Sequence, residues 1–335
     1  MAGSWLGRAN GKVILVGEHA VVYGTPAVAV GVHLGATATA ERAQHESTIE
    51  LGPPGGSPRA HASAHDGSDT GRALAALLSV IAPDQTLALR VELSLPAGVG
   101  LGASAAIAVA VARAAARVVA EGEPCPTRVA EAAAAWEAVF HGTASGVDVA
   151  AAMTSGPIWF VRDQRPKPIA SAAPLELALA VAGPPAATHQ MVAQVRQLRD
   201  ADPARFGAAL ARFTSLAEAA RSALREGDVR ALGALLNENQ GELEQLGVST
   251  PALTHACELA RASGALGAKL TGAGGGGVVI ALCPPESASA PVLAAWRAAG
   301  LECFRTVVEP CYPALVHAEH SSPWNPPPAA PNEDP

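Results

Sequence analysis

Three glycines at alternate positions, Gly98, Gly100 and Gly102, separate an alternating apolar pattern from an Ala-rich run that has no helix breaker until Gly122. Glycine lets a turning backbone approach a ligand closely. A helix that begins just after such a turn offers free N–H groups and the positive end of its dipole, which suits a phosphate. Ser104 adds a hydroxyl that could reach a metal ion on that phosphate. The glycines alone are equally typical of an ordinary tight turn between a strand and a helix.

Two further pairs of residues could act on a phosphate and its acceptor. Lys12 begins a short apolar run and His19 follows it one strand length later, so both can face the same pocket. Glu137 and Asp148 are carboxylates, and Mg²⁺ needs few protein ligands because it keeps waters and phosphate oxygens. The ordinary alternatives are a solvated strand end for Lys12, a surface acid for Glu137 and a helix N-cap for Asp148.

A second glycine-rich run, residues 271–277, lies between the short apolar segments 268–270 and 278–282. Such a dense run weakens a structure unless a ligand or a close backbone contact requires it. The alternative is a flexible linker, but a linker would not lie between two short strands. The pattern therefore favours contact with a ligand.

Alternating strands and helices are expected to position these residues. Apolar runs predict strands at 12–16, 27–32, 87–95, 157–161, 175–181, 268–270, 278–282 and 303–308. Helical periodicity and capping signals predict helices at 70–81, 104–120, 127–140, 188–246, from 251 onwards and at 291–299. The long helical region should break near Pro203 and Gly227. Asp69 or Thr70 and Thr127 are the predicted N-caps, and residues 52–69 are predicted to form a surface loop.

Composition limits the partners and the compartment. The 335 residues suffice for two domains with cores of their own, and 49% are hydrophobic. A net charge of −7 without a basic block argues against a nucleic-acid partner. No apolar run approaches a membrane span, and the run 13–16 is too short for a signal peptide, so no membrane partner is expected. Five scattered cysteines indicate reduced thiols and a cytoplasmic protein.

Two motifs carry a resemblance to a known family. The segment Pro96-Ala97-Gly98-Val99-Gly100-Leu101-Gly102-Ala103-Ser104-Ala105-Ala106 resembles the phosphate loop of the GHMP kinases, Pro-x-Gly-x-Gly-Leu-Gly-Ser-Ser-Ala-Ala. Ala103 departs from it, because the family commonly has the first of two serines there. The stretch from Gly11 to Gly24 resembles the signature of the mevalonate kinases within that superfamily, Gly-Lys-Val-Ile-Leu-x-Gly-Glu-His-Ala-Val-Val-x-Gly. Galactokinases typically read Glu-His-Thr-Asp instead. The resemblance covers most of residues 8–320.

This resemblance implies roles for the polar residues. Asp148, in Ser-Gly-x-Asp, would be the catalytic base that takes the proton of the acceptor hydroxyl, and Lys12 would lie beside that hydroxyl. His19 would contact the substrate, with Glu18 helping to hold the group together. Thr188 would also lie near the substrate and the phosphates.

The implied cofactors are ATP and Mg²⁺, with Ser104 and Glu137 as metal ligands. The ATP phosphates would be bound by the two glycine-rich loops, at Pro96, Gly98, Gly100, Leu101, Gly102, Ala103, Ser104, Ala105, Gly272, Gly274 and Gly275. Two further positions depart from the pattern. Asn10 replaces a proline that is usual before Gly-Lys, and Ala186 stands where mevalonate kinases commonly have an arginine. Either another cation takes that place or the substrate binds more weakly.

The resemblance implies an α/β (α+β) fold with two domains. Residues 1–170 would form an N-terminal domain like domain 2 of ribosomal protein S5, and residues 171–320 a ferredoxin-like C-terminal domain. Residues 321–335 would be a disordered, proline-rich tail. The implied activity is ATP-dependent phosphorylation of the 5-hydroxyl of (R)-mevalonate to 5-phosphomevalonate, a step of isoprenoid biosynthesis. A homodimer is left open.

Three alternatives remain at this stage. One is another kinase of the superfamily, for a sugar, homoserine or phosphomevalonate, and the Glu-His-Ala-Val-Val stretch argues against it. The second is a decarboxylase of the same fold, against which the presence of both Lys12 and Asp148 speaks. The third is a catalytically inactive, ligand-binding regulator. Such a protein would be expected to lack the base or the metal ligands, whereas Asp148, Ser104 and Glu137 are all present.

Overall fold

In the computed structural model, which describes residues 3–96, 98–120, 122–141, 145–285 and 289–311, the chain begins with a long antiparallel hairpin. Its strands are β1 (Trp5–Val16) and β2 (Ala27–Arg42), joined through a short 3-10 helix at Ala20–Tyr23. β1 pairs with β2 from Trp5 to Val16, so the predicted strand is confirmed and begins seven residues earlier than expected. The hairpin is the centre of the first sheet.

Five shorter strands complete this sheet: β3 (Thr48–Gly52), β4 (Ala60–Ser63), β5 (Leu87–Leu93), β6 (Pro157–Phe160) and β7 (Lys167–Pro168). The strand order is β4-β3-β5-β2-β6-β7, with β1 paired to β2 off this path. The pairing of β3 with β5 is parallel and the other pairings are antiparallel.

Four helices belong to this half of the chain: α1 (Asp69–Ile81), α2 (Ala103–Val119), α3 (Pro126–His141) and α4 (Val147–Ala152). Helix α2 packs on β1 and β2. Helix α2 can lie very close to β1 because its residues are mostly alanine and β1 has a glycine, Gly7, at the contact. A Cβ added to Gly7 would lie 2.1 Å from the carbonyl oxygen of Ala110, so no side chain fits there. The helix that follows the glycine turn is therefore seated directly on the strand that carries Lys12.

The second half of the chain forms a four-stranded antiparallel sheet in the order β11-β8-β10-β9. Its strands are β8 (Leu175–Val181), β9 (Gly267–Thr271), β10 (Val278–Cys283) and β11 (Glu302–Val308). The accompanying helices are α5 (Thr188–Ala201), α6 (Pro203–Glu226), α7 (Val229–Gln245), α8 (Pro251–Ala262) and α9 (Ala290–Ala298).

Both faces of this second sheet are buried. Along β8, Leu177 and Leu179 belong to the core shared with the first half of the chain, whereas Ala178 and Ala180 belong to a second core with α5, α6, α8 and α9. β10 alternates in the same way. Successive side chains of a strand point to opposite faces, so a strand buried on both sides shows a continuous apolar run. The sheet is thus held between the first half of the chain and its own helices.

Most predicted elements are confirmed, including the helix breaks beside Pro203 and Gly227. Strands β3 and β7 and helix α4 were not predicted, and three further details differ. The predicted loop 52–69 contains β4, a strand of only four residues in a stretch rich in glycine, proline, serine and histidine. Ser68, not Asp69 or Thr70, caps α1 by accepting the N–H of Gly71 at 3.0 Å. Thr127 lies inside α3, which begins at Pro126.

The proline-rich segment predicted to be disordered, residues 321–335, lies outside the described residues. Within the described ranges, none of the helices has the length and apolar character needed to span a membrane.

Candidate active site

The glycine turn predicted to bind phosphate connects β5 to α2. Gly98, Gly100 and Gly102 have φ angles of 74°, 91° and 74°, in the left-handed region that glycine adopts without strain. Gly102 is the N-cap of α2 and offers no side chain to the first N–H groups of this 17-residue helix. The turn therefore combines a closely approachable backbone with the positive end of a long helix, as an anion site requires.

Ser104 and Glu137 converge beside this turn. The Ser104 hydroxyl donates a hydrogen bond to Oε1 of Glu137 on α3, and Nε1 of Trp136 donates to the same hydroxyl oxygen at 3.1 Å. Glu137 is only 4% exposed, yet it lies in the wall of the cavity described below. A hydroxyl and a carboxylate oxygen beside a phosphate loop are ligands that Mg²⁺ accepts, together with waters and phosphate oxygens. The pair therefore fits a magnesium ion on a bound nucleotide.

Lys12 and Asp148 meet at the same turn from different elements. The backbone N–H of Lys12 on β1 donates to the carbonyl oxygen of Leu101 at 2.8 Å. Its Nζ lies 2.9 Å from Oδ1 of Asp148 and 3.5 Å from the carbonyl oxygen of Gly100. The Lys12 side chain is 4% exposed and that of Asp148 is 38% exposed. The carboxylate is thus available to the cavity as a proton acceptor, with a fixed positive charge behind it.

The ordinary explanation for Asp148, a helix N-cap, does not apply. The N-cap of α4 is Gly146, with φ of 81°, and Asp148 lies in the first turn of the helix. An acidic residue there is also favoured by the helix dipole. The dipole alone does not explain why a buried lysine is directed at this carboxylate.

His19 follows β1 with an unusual backbone, since its φ of 58° is uncommon for a residue other than glycine. Its Nε2 lies 2.8 Å from the carbonyl oxygen of Ala273. A carbonyl can only accept, so Nε2 carries the proton and Nδ1 of the neutral ring is left as an acceptor. Burial lowers the pKa of His19 below its usual 6.5, although the hydrogen bond to Ala273 acts in the opposite direction. The ring is therefore neutral at neutral pH.

Glu18, which was predicted to help hold this group of residues together, makes its contacts in the protein interior. It is 1% exposed and forms a buried ion pair with Lys269 of β9. Nδ2 of Asn239 donates to its other oxygen at 3.2 Å, and Nζ of Lys269 also donates to the carbonyl oxygen of Ile14 at 3.2 Å. Burial lowers the pKa of Lys269, and the charge of Glu18 opposes this effect. The ion pair between Glu18 and Lys269 joins the two halves of the chain at the residue next to His19.

The second glycine run closes the site from the other half of the chain. The N–H of Gly275 donates to the carbonyl oxygen of Val248 at 2.8 Å, which holds the loop against the start of α8. A Cβ on Gly272 would lie 3.4 Å from the carbonyl oxygen of Gly100, so the two glycine loops approach each other closely. The predicted ligand-contacting loops thus face each other across the site.

A cavity of about 970 Å³ lies between these elements. The predicted site residues in its wall are Gly98, Gly100, Glu137, Asp148, Thr188 and Gly274. Lys12, His19 and Ser104 reach its wall residues through the contacts given above. Of the remaining predicted residues, Pro96, Leu101, Gly102, Gly272 and Gly275 lie in the two glycine loops, Ala103 and Ala105 lie in the first turn of α2, and Glu18 is buried.

The wall residues that were not singled out from the sequence include Phe140, His189 and Arg196. Phe140 is a large apolar side chain with 39% exposure, one turn after Glu137. Arg196 lies on α5 two turns after Thr188. Helical spacing from Thr188 is the one signal that could have identified Arg196, but that spacing also fits an ordinary exposed arginine.

Two sequence families match the chain. The family described as GHMP kinases N terminal domain matches residues 70–156, and the family described as GHMP kinases C terminal matches residues 220–301. The first glycine turn, α2, Glu137 and Asp148 fall within the first match, and the second glycine loop falls within the second.

Curated relatives match over most of their length. The chain is 34% identical to the mevalonate kinase of Methanothermobacter thermautotrophicus over 278 residues, which cover 82% of this chain and 89% of the relative. It is 32% identical to the mevalonate kinase of Thermococcus sibiricus over 304 residues, covering 84% of this chain and 90% of the relative.

Solved structures agree in fold. The L. major mevalonate kinase in complex with R-mevalonate superposes with a TM-score of 0.79 at 28% identity, covering 92% of this chain and 97% of the other. The Lactococcus lactis galactokinase complexed with galactose superposes with a TM-score of 0.71, but at 16% identity its likeness concerns the fold alone.

Proposed function

The chain belongs to the mevalonate kinase family of the GHMP kinases, and we propose that it transfers the γ-phosphoryl group of ATP to the 5-hydroxyl of (R)-mevalonate. It has the two-domain α/β fold of that superfamily. The observation that carries the proposal is the Lys12–Asp148 pair, 2.9 Å apart beside the first glycine loop and open to the cavity on the carboxylate side. Phosphoryl transfer to an alcohol depends on such positioning and electrostatic stabilisation.

In the proposed reaction, Asp148 accepts the proton of the 5-hydroxyl while that oxygen attacks the γ-phosphorus. The bond between the γ-phosphorus and the bridging oxygen breaks, and ADP leaves with that electron pair. The Lys12 ammonium stabilises the charge that develops on the attacking oxygen. Its own position is set by Asp148 and by the carbonyl oxygen of Gly100, so little reorganisation is required during the reaction.

We propose Mg²⁺ as the metal cofactor, held by Ser104 and Glu137. A magnesium ion bound there would neutralise negative charge on the phosphates of ATP. The protein's part is to hold two oxygen ligands in place, and Trp136 contributes by donating to the Ser104 hydroxyl at 3.1 Å. The backbone of the first glycine loop supplies the remaining phosphate contacts in this proposal.

Substrate binding is assigned to His19 and Thr188. The Nδ1 acceptor of His19 suits a substrate hydroxyl, because Nε2 is already used by Ala273. Thr188 offers a hydroxyl from the first turn of α5 in the cavity wall. Glu18 is assigned a positioning role through its contact with Lys269, instead of a direct contact with the substrate.

We also propose that the domains are residues 1–170 and 171–320, with the boundary between β7 and β8. The first would supply the phosphate loop and the catalytic pair, and the second would supply the loop 271–277. The enzyme is proposed to act in the cytoplasm. Cys257 and Cys283 are compatible with this compartment, since burial raises their thiol pKa values to about 12 and about 11 and keeps them unreactive.

The test is ADP release by the purified full chain with MgATP and one acceptor at a time. The proposal expects efficient turnover of (R)-mevalonate and none of galactose, homoserine or phosphomevalonate. Preference for one of those acceptors would support the assignment as a kinase and contradict the assignment of mevalonate as its substrate. Release of carbon dioxide from diphosphorylated mevalonate would indicate the decarboxylase alternative, and tight ligand binding without ADP release would indicate the inactive regulator.

A further inference from the structure

The cavity wall has little positive charge for a substrate that is itself an anion. Ala186 stands where mevalonate kinases commonly have an arginine. Among the described residues of the wall, Glu137 and Asp148 are acidic, and Arg196 is the only lysine or arginine. We propose that Arg196 binds the carboxylate of the acceptor substrate in this chain, an inference that rests on the proposed function and specifies how its substrate is recognised.

The backbone of α5 brings Arg196 to the wall. Thr188, Val192 and Arg196 are spaced by four residues, so they lie along one face of the helix, and all three line the cavity. Eight residues at about 1.5 Å each place Arg196 roughly 12 Å along the helix axis from Thr188. The helix starts near the second glycine loop, where Ala186 lies close to Gly275, and carries Arg196 away from it.

Arg196 and the segment that follows His19 belong to the same cavity wall. Val22, three residues after His19, lines the same cavity. The neighbouring Tyr23 is close enough to feel this charge: burial raises the Tyr23 pKa, while the positive charges of Arg199 and Arg196 oppose that rise. The magnesium pair, Ser104 and Glu137, belongs to the phosphate loop and α3. Arg196 is thus associated with the segment that follows His19.

Arg196 is also available to bind an anion. It is exposed, and it forms no hydrogen bond or ion pair with another described residue. The nearby Arg199 differs, since its guanidinium lies 2.8 Å from the carboxylate of Asp200 and 5.8 Å from the centre of the Tyr23 ring. Lys12 is likewise engaged, by Asp148. A guanidinium with its donors unused can bind a carboxylate through two parallel hydrogen bonds.

The experiment compares Arg196→Gln, Arg196→Lys and the control Arg199→Gln. Arg199→Gln removes the same charge from the same helix but not from the cavity wall. Each full-length variant is assayed with (R)-mevalonate and with 3-methylpentane-1,3,5-triol, in which a hydroxymethyl group replaces the carboxylate. The triol keeps the hydroxyl to be phosphorylated, so the pair of substrates isolates the carboxylate contact.

We expect Arg196→Gln to raise KM for mevalonate by about 10-fold to 100-fold, the range for losing a hydrogen bond to a charged group. KM for ATP and kcat/KM for the triol should stay unchanged, so the preference for the acid over the triol shrinks. Arg196→Lys should recover part of the preference, and Arg199→Gln should keep all of it.

An unchanged preference in Arg196→Gln, an equal loss with both acceptors, or a rise in KM for ATP would each overturn the role of Arg196. The last result would assign Arg196 to the nucleotide. All of these results require a wild type that phosphorylates mevalonate. A wild type that does not would overturn the proposed function itself, so the two failures are distinguishable.

Discussion

Nζ of Lys12 lies 2.9 Å from Oδ1 of Asp148, and of the two side chains only the carboxylate is appreciably exposed. The two residues are 136 positions apart. Lys12 lies on β1 and Asp148 lies on the short helix α4. The Lys12 ammonium therefore contacts Asp148 from the protein interior, and the Asp148 carboxylate faces the cavity. This asymmetry separates their roles and makes them individually testable.

Asp148→Asn should retain nucleotide binding and lose most of kcat. The amide cannot accept a proton, and a general base contributes about 10²-fold to 10⁴-fold. The measurement is steady-state ADP release together with the Kd for ATP. Asp163→Asn is a matched control, because Asp163 is an exposed aspartate that does not line the cavity. Turnover near the wild-type value in Asp148→Asn would remove this residue from the catalytic role.

Ser104→Ala and Glu137→Gln should each raise the magnesium concentration needed for half-maximal activity. Both are proposed ligands of one ion and already contact each other, so their losses should be strongly non-additive. The measurement is a magnesium titration of both single variants and of the double variant. Losses that simply add in the double variant would mean that the two residues serve different purposes.

Lys269→Met should destabilise the protein by about 3–5 kcal/mol, because it leaves the buried Glu18 carboxylate without its partner. Adding Glu18→Gln should recover much of that loss, since the unpaired charge is then gone. Urea denaturation measures both. Arg72→Ala serves as the control for an exposed ion pair and should cost about 1 kcal/mol or less. A loss in Lys269→Met no larger than in Arg72→Ala would contradict the structural role of the buried pair.

The KM for mevalonate should rise as the pH falls to the pKa of His19 in the folded protein, which lies below 6.5. His19 is neutral in the folded protein because burial lowers its pKa from 6.5, and protonation removes the Nδ1 acceptor. Between 6.5 and the lowered pKa the unfolded chain binds this proton and the folded chain does not. Folding stability is therefore unaffected above 6.5 and decreases as the pH falls through that window.

His19→Gln provides the comparison for this pH effect. Its KM for mevalonate should be higher than that of the wild type and should no longer rise as the pH falls to the lowered pKa of His19, with KM for ATP nearly unchanged. A pH response that persists in His19→Gln would have to come from another group.

Much of this site could be predicted because its signals are local. Gly98, Gly100 and Gly102 lie within five residues of one another and are followed at once by a helix, so their backbone geometry follows from the sequence pattern. The distinctive stretch from Gly11 to Gly24 likewise marks Lys12 and His19. Strands β8 and β10 were predictable because a strand buried on both faces is a continuous apolar run.

The unpredicted parts depend on distant contacts or on side chains with several ordinary uses. The partner of Glu18 is Lys269, which is 251 residues away in the sequence. The residues around Glu18 contain no pattern that predicts this contact. Arg196 resembles any exposed arginine on a helix until the cavity beside it is known. The cap of α1 was misplaced because Ser68, Asp69 and Thr70 are all good capping residues, and only the geometry identifies Ser68.

The contact between Gly7 and Ala110 has a consequence for the timing of catalysis. No side chain separates β1 from α2 at this point, so the strand that carries Lys12 packs directly against the helix that carries Ser104. The spacing between Lys12, proposed to act on the acceptor hydroxyl, and Ser104, proposed to act on the nucleotide, is therefore established when the chain folds and before any substrate binds. Such preorganisation lowers the free energy that each turnover requires for alignment.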